Sequence, residues 1–242
     1  MVKRSGTVGY GHRVPCRPPP FSAVLRRRAS ARSRPAHPLL LPHLPESPMS
    51  TATVTSRPGA VLADLIPASR ARDIALVVGG AALTGLAAQI AVPIPGSPVP
   101  VSGQTFAALL VGTALGARRG LLSLALYAVA GVAGMPWFAE GESGWGMPSF
   151  GYILGMLLAA GVVGALARRG ADRSVWRTAA AMALGSAIIY AIGVPYLALS
   201  TGMTLSQAVA AGLTPFLIGD AVKAALAMGA LPTAWKLAGR KG

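Results

Sequence analysis

Long hydrophobic runs, separated by short polar or Gly- and Pro-rich breaks, dominate the chain from residue 73 onward. No Asp, Glu, Lys or Arg occurs from residue 74 to residue 117, and a helix needs about 20 apolar residues to cross roughly 30 Å of hydrocarbon. Residues 93–100 include four prolines, which a continuous helix does not accommodate, so this stretch predicts two spans. With the later runs, the pattern predicts an all-α integral membrane protein with six transmembrane helices, near residues 73–92, 102–117, 120–135, 150–167, 178–199 and 215–235.

The composition agrees with lipid as the solvent of these runs. Of the 242 residues, 53% are hydrophobic and 12% are charged, whereas soluble domains carry roughly 25% charged residues. The net charge of +15 is unevenly placed: residues 1–48 hold nine Lys or Arg against one acid, and the other basic residues lie between hydrophobic runs. This placement is typical of membrane orientation signals, so we expect a lipid bilayer and no nucleic acid as partner.

The first 67 residues differ in composition from the rest of the chain. They are rich in Pro, Arg and Ser, and their run of three leucines at residues 39–41 is flanked by prolines. That run is too short for the core of a signal peptide. We therefore expect residues 1–67 to form a disordered basic tail and residues 70–238 to form the membrane domain. Two other interpretations are an organelle transit sequence and, ahead of it, translation that starts at Met49.

Basic residues fall on alternate loops. They lie before the first predicted span and after the second, fourth and sixth, whereas residues 93–101, 136–149 and 200–214 contain no Lys or Arg. By the positive-inside rule, both termini are cytoplasmic and the Pro-rich and Gly-rich loops face outward. The sequence thus predicts a multi-pass protein of the plasma membrane.

The positions of the histidines and the cysteine restrict the chemistry. Cys16 and the three histidines, His12, His37 and His43, all precede the first span. The spans therefore lack the ligands of a His or Cys metal site and the residues of a nucleophilic triad. The chain also lacks a GxxxxGK phosphate loop, so ATP-driven activity would need partners. We expect no enzymatic activity, no metal and no cofactor.

Two charges interrupt the last hydrophobic run. Asp220 and Lys223 are spaced i, i+3, which places both side chains on one helix face. Each costs about 2.5–3.5 kcal/mol at the centre of a membrane helix, so both should face the bundle interior. A substrate site is favoured over a structural ion pair. Gln104, Tyr152 and Tyr190 are the other polar groups near the outer boundary, and with the charged pair they could ring a cavity with apolar walls.

Small residues in the first span have two interpretations. Ala81 and Gly85 form a small-xxx-small pair, and such pairs let helix backbones approach closely. They could pack within the bundle, or they could form a docking surface for another membrane subunit. We retain them as the candidate partner-docking residues.

Several short motifs follow one another over about residues 70–236. They are PVPVSGQT at 98–105, LLVG at 109–112, LG at 115–116, LY at 126–127, GVAGMPWF at 131–138, GYILG at 151–155 and FLIGDAVK at 216–223. Together they resemble the BioY family, the biotin-binding S components of energy-coupling factor (ECF) transporters. The Gly-Asp-x-x-Lys ending is the most specific motif. Ser102 and Gly103 depart from the bulkier pair that is usual before Gln-Thr.

The resemblance implies an ECF S-component-like bundle of six helices, with a pocket near the outer surface that the first outer loop closes. Asp220 and Lys223 match the family's biotin-contacting residues, and Gln104 and Tyr152 are carried over as pocket residues. The implied partners are biotin, a transmembrane coupling protein and two ATP-binding cassette ATPases. The implied function is capture and import of biotin without chemical change. An S component for another vitamin and a proton-coupled secondary transporter remain the alternatives.

Overall fold

The computed structural model describes residues 59–239, and its secondary structure is almost entirely helical. Two short 3-10 helices (Leu62–Leu65, Ala139–Gly141) and a hairpin of two strands, β1 (Ala91–Val92) and β2 (Val101–Ser102), accompany seven α-helices. The α-helices are α1 (Arg70–Ala88), α2 (Gln104–Leu115), α3 (Ala117–Val132), α4 (Phe150–Arg168), α5 (Val175–Thr201), α6 (Leu205–Gly212) and α7 (Phe216–Gly239).

Each of the six predicted spans coincides with a helix, but the helices differ in length. Within the described residues, α1, α4, α5 and α7 are long and apolar enough to cross a membrane. Helices α2 and α3 have 12 and 16 residues, fewer than the about 20 that a straight crossing needs. They meet at Gly116, whose φ of 81° is a conformation that glycine adopts without strain. The structure therefore confirms a helical fold with four candidate membrane spans among the described residues, but not the count of six spans.

Two of the predicted outer loops contain regular secondary structure. In the Pro-rich loop, Ala91 pairs with Ser102 and Val92 with Val101 in an antiparallel hairpin, so the all-α prediction is incomplete. The four prolines lie between the strands, where no ladder N–H is required. In the loop at residues 200–214, Thr204 accepts from the Gln207 backbone N–H, while the Gln207 side chain accepts from the Thr204 N–H. This capping box starts α6.

Helix α4 is the centre of the bundle. It packs against α2, α3 and α5, and small residues permit the close approach. A Cβ added at Gly112 would lie 2.5 Å from the Ala160 carbonyl oxygen, and one added at Gly164 would lie 2.4 Å from the Ala117 nitrogen. Glycine therefore allows nearly direct backbone contact between α4 and the α2–α3 pair.

The segment before α1 contacts the bundle, although the sequence predicts a tail that extends to residue 67. Val61 is fully buried and Ala63 is 5% exposed, so apolar contacts fix residues 61–65 against the bundle. The carboxylate of Asp64 accepts from Arg119 at 2.8 Å. Residues 61–65 thus pack on the helices, and residues 1–58 of the predicted tail lie outside the described residues.

The basic residues gather at one end of the bundle. Arg119 binds Asp64, Arg168 lies against Gly116, and Arg173 donates to the Ala60 carbonyl at 3.2 Å and stacks on Trp235. We call this end the basic end. It is formed by residues 59–66, the α2–α3 junction, the α4–α5 loop and the end of α7. The opposite end carries the β1–β2 hairpin, residues 133–149 and α6, and we call it the hairpin end.

The ion pair between Asp64 and Arg119 leads to a pH-dependent prediction. Burial disfavours the charged carboxylate, but hydrogen bonds from Arg119 and the Val61 N–H, with the charge of Arg119, outweigh it and hold the pKa of Asp64 below its ordinary 3.8. A carboxylate whose pKa is lower in the folded chain stabilises the fold at pH values above its pKa in the unfolded chain. That stability is lost as pH falls through the pKa of the folded chain. We expect Asp64→Asn to reduce stability at pH 7 by up to about 1 kcal/mol, and the deficit to become smaller as pH falls from 7 to below 3.8, the ordinary pKa of the carboxyl group. Thermal unfolding of both chains in detergent measures this, and an equal deficit at both pH values would contradict it.

Candidate functional site

A cavity of about 700 Å³ lies between α5, α6 and α7, toward the hairpin end. Ser186, Tyr190 and Asp220 contribute its polar side chains. Its walls are otherwise apolar, and they include Val194, Leu205, Val209, Leu213 and Leu217. The volume is within the range of small-molecule pockets, which combine apolar walls with a few convergent polar groups.

Asp220 and Lys223 form the polar centre of the site. The Asp220 carboxylate accepts from the Tyr190 hydroxyl on α5 at 2.5 Å and from Lys223 Nζ at 3.4 Å. Lys223 Nζ also donates to Thr105 Oγ1 on α2 at 2.7 Å. The charged pair therefore links α2, α5 and α7 through side chains at one level of the bundle.

This pair retains capacity to bind another molecule. The Asp220 and Lys223 side chains are 16% and 18% exposed, so neither is sealed in the core. An ionised carboxylate can accept about four hydrogen bonds and an ammonium can donate three. Two donors reach Asp220, and Lys223 uses two of its protons among the described residues. The site thus offers at least one anionic acceptor position and one cationic donor.

A narrow space of about 10 Å³ continues from the cavity toward α2. Thr105 and Phe106 line it on the α2 side, and it shares Ser186 and Asp220 with the main cavity. Lys223 lines only this narrow part. The lysine therefore lies behind Asp220 when viewed from the main cavity.

Tyr152 supports the wall of the cavity and does not line it. The side chain is 3% exposed, and its hydroxyl donates to the Gly212 carbonyl at the end of α6 at 2.8 Å. Its ring lies 6.3 Å from that of Tyr190 and 6.4 Å from that of Phe216. A Cβ at Gly193 would lie 2.5 Å from the Tyr152 ring. Tyr152 thus contacts α6 and Tyr190 on the side that faces away from the cavity. In this geometry Tyr152 is not one of the cavity-lining residues, although the sequence predicts it as a pocket residue.

Gln104 occupies a similar supporting position on the other side. It is 5% exposed, and its Oε1 accepts from the Tyr127 hydroxyl on α3 at 2.9 Å. The Tyr127 ring packs against Trp137 and Phe138. The structure therefore brings Asp220, Lys223 and Tyr190 together, but directs Gln104 toward α3 and away from the cavity.

Ala81 and Gly85 do not form an accessible docking surface in the structure. Ala81 is 1% exposed, and Gly85 is buried as well. A Cβ at Gly85 would lie 2.8 Å from the Trp137 ring. The small residues thus create room for packing inside the bundle, which favours the packing interpretation; their role in partner docking stays a prediction.

Sequence reasoning missed three parts of the site: Thr105, the α6 wall and Ser186. Thr105 follows Gln104 directly within the PVPVSGQT motif, so the motif pointed to the right place on α2 but to the neighbouring side chain. The α6 helix, which forms one wall of the cavity, lies in a segment that the sequence analysis treated as a loop. Its Thr-x-x-Gln start is nevertheless a helix signal. Ser186 has no signal that separates it from other small residues of α5.

Comparison with known proteins gives consistent results. The sequence profile described as the BioY family matches residues 55–240. The chain is 35% identical over 162 residues to "Probable biotin transporter BioY" of Pyrococcus horikoshii, covering 66% of this chain and 93% of that protein. It is also 35% identical over 157 residues to "Biotin transporter BioY2" of Lactococcus lactis, covering 64% and 85% of the two chains.

A solved structure shares the fold. The crystal structure of the S-component for biotin from an ECF-type ABC transporter matches with a TM-score of 0.63 and 19% identity, over 70% of this chain and 95% of that one. At this identity the match concerns the fold alone. The helical fold of this chain is therefore similar to that of the solved S-component.

Proposed function

The chain belongs to the BioY family, and from this membership we propose that it is the biotin-binding subunit of a membrane importer. The resemblance found in the sequence is confirmed by the family match. The observation that supports biotin as the ligand most directly is the cavity that reaches Asp220, with Lys223 in the narrow space beside it, in a chain whose relatives are named biotin transporters. Such transporters move their substrate unchanged, so the chain is not an enzyme.

The chemistry of the cavity suits biotin. Biotin combines a ureido ring, which has N–H donors and a carbonyl acceptor, with an aliphatic chain that ends in a carboxylate. Asp220 can accept from N–H groups, and Lys223 can pair with a carbonyl or carboxylate oxygen. The apolar side chains of α6 offer a surface for the aliphatic part. We propose that Asp220 and Lys223 contact the ligand and that Tyr190 holds Asp220 in position.

Gln104 and Tyr152 have an indirect role in this proposal. Tyr152 holds the end of α6 through the Gly212 carbonyl, and Gln104 holds Tyr127 at the start of α2. Neither residue contacts the charged pair, but each is next to a residue that does: Tyr152 packs on Tyr190, and Gln104 precedes Thr105. We therefore regard them as positioning residues for the walls of the biotin site.

Membership of a membrane transporter family and four long apolar helices make the chain a multi-pass protein of the plasma membrane. We propose in addition that α2 and α3 also cross the bilayer, which gives six spans. The basic end would be cytoplasmic, as the positive-inside rule requires, with both termini on that side. The cavity, which lies toward the hairpin end, would then face the outside of the cell.

We propose that import requires an ECF coupling protein and two ATP-binding cassette ATPases. The sequence has no GxxxxGK phosphate loop, so energy from ATP must reach this chain through partners. Reorientation of the bundle within the bilayer would bring the cavity to the cytoplasmic side. The composition of the partner module is the part of this proposal that depends on family membership alone.

Uptake of labelled biotin tests this function in cells. A biotin-auxotrophic host that lacks its own importer should take up biotin when it expresses this chain together with its coupling module. Uptake should persist when a protonophore collapses the proton gradient while ATP is maintained, and should fall when ATP is depleted. Uptake that follows the proton gradient at constant ATP would instead support a proton-coupled secondary transporter that uses Asp220 and Lys223 as a relay.

A further inference from the structure

A groove that is separate from the cavity lies on the bundle surface between α1 and α3. Its volume is about 630 Å³, and it shares no lining residue with the biotin cavity. Its walls are apolar and face outward: Ile74 is 65% exposed and Val129 is 66% exposed, and Val78, Leu122 and Leu126 continue the same surface. In a membrane protein this surface contacts lipid chains.

The head of the groove is cationic. Arg118, Arg119 and Arg168 line it, with Asp73 as the acidic residue among its lining side chains. Arg119 is paired with Asp64 and Asp73, at 2.8 and 3.1 Å. Arg118 and Arg168 form no salt bridge within residues 59–239. Two exposed guanidinium groups are thus left to bind an anion at the basic end.

The length of the groove along α3 matches the thickness of one leaflet of the hydrocarbon core. Along α3 it extends from Arg118 to Val129, which is about 16 Å at 1.5 Å per residue. Half of the hydrocarbon core is about 15 Å. A molecule with an anionic head on the arginines and a chain along α1 and α3 would therefore end near the middle of the membrane.

We propose that this groove is a binding site for one anionic phospholipid. Its phosphate binds Arg118 and Arg168, because guanidinium groups pair with phosphate oxygens in a planar, bidentate geometry. One acyl chain lies between α1 and α3 on the exposed aliphatic side chains. The start of α3 at Ala117 adds the partial positive charge of a helix N-terminus at the same level. The lipid would fix the α1–α3 pair at the basic end.

Native mass spectrometry of the full chain, released from detergent micelles, tests this site. The probes are dioleoylphosphatidylglycerol and dioleoylphosphatidylcholine, which have the same acyl chains and differ in the charge of the head group. We expect the wild type to retain one phosphatidylglycerol in preference to phosphatidylcholine. Arg118→Gln with Arg168→Gln should lower that preference about 30-fold, from the effect of two basic residues at an anionic lipid head.

The matched control is Arg169→Gln with Arg177→Gln, which removes the same charge at the same end but outside the groove. This control should retain the preference, and both double variants should bind biotin as the wild type does. Equal losses in the two double variants would show diffuse attraction and overturn the site, as would a wild type without preference. Displacement of the lipid by inorganic phosphate alone would also contradict the proposal, because the ion lacks the chain. Unchanged lipid retention in Arg118→Gln/Arg168→Gln, with lost assembly of the transporter, would assign the groove to a protein partner.

Discussion

Replacing Lys223 by Met should lower the affinity of the chain for biotin by about 100-fold or more. The substitution keeps the length of the side chain but removes the ammonium that pairs with Asp220 at 3.4 Å and with Thr105 at 2.7 Å. Truncating one partner of a buried, hydrogen-bonded charge contact with a bound molecule costs about 2–5 kcal/mol of binding free energy, and about 3 kcal/mol corresponds to a factor of roughly 100 in affinity. Asp220→Asn should have a comparable effect, because it removes the anionic acceptor.

Titration of biotin into the purified variants measures this loss. Lys236→Met is the matched control, since Lys236 is exposed near the end of the same helix and does not line the cavity. The double variant Asp220→Asn/Lys223→Met leaves no unpaired charge, so it should fold as the wild type does and still fail to bind. Wild-type affinity in Lys223→Met would mean that the pair only joins helices.

The second large effect is expected from Gly85→Leu, which should strongly destabilise the folded bundle. A Cβ at this position would lie 2.8 Å from the Trp137 ring, and a leucine adds further atoms in the same direction. Trp137 has little freedom to move, because its indole N–H donates to the Tyr127 carbonyl at 3.0 Å and its ring packs on the Tyr127 ring. Overpacking of this kind costs about 1–3 kcal/mol and more when the neighbours are fixed.

Gly79→Leu is the control for that substitution. Gly79 is exposed on the same helix, and a Cβ there would meet nothing within 4 Å. Leucine also favours the helix more than glycine does. We expect Gly79→Leu to be monodisperse in detergent with an unchanged or higher melting temperature, and Gly85→Leu to aggregate or melt several degrees lower. A Gly85→Leu chain that is stable, binds biotin and fails only in uptake would restore the docking interpretation of Ala81 and Gly85.

The contrast between α7 and α1 shows which parts of the site the sequence could predict. Asp220 and Lys223 stand out because a charge in an apolar run is costly, and their spacing alone places both on one face. In the structure, Lys223 Nζ lies 3.4 Å from Asp220 Oδ1. Ala81 and Gly85 carry no such signal, because a membrane helix is apolar toward lipid and toward its neighbours alike. Hydropathy therefore located α1 but did not indicate which of its faces is buried.

The same reasoning applies to Gln104 and Tyr152. Their polarity near the span ends suggested a place in the cavity, but the direction of each side chain depends on long-range partners. Gln104 is held by Tyr127 and Tyr152 by Gly212, 23 and 60 residues away along the chain. No local pattern contains those pairings. The positions of the six main helices, in contrast, follow from local hydropathy and from the prolines and glycines between them.

Equilibrium binding of biotin to the purified full-length wild type, in detergent, is the measurement that tests the central claim most directly. The same titration with thiamine and riboflavin covers the alternative of another vitamin. The account predicts saturable binding of biotin with a stoichiometry of one, which neither of the other vitamins displaces. A folded, monodisperse wild type that does not bind biotin, or that binds another vitamin in its place, would contradict it.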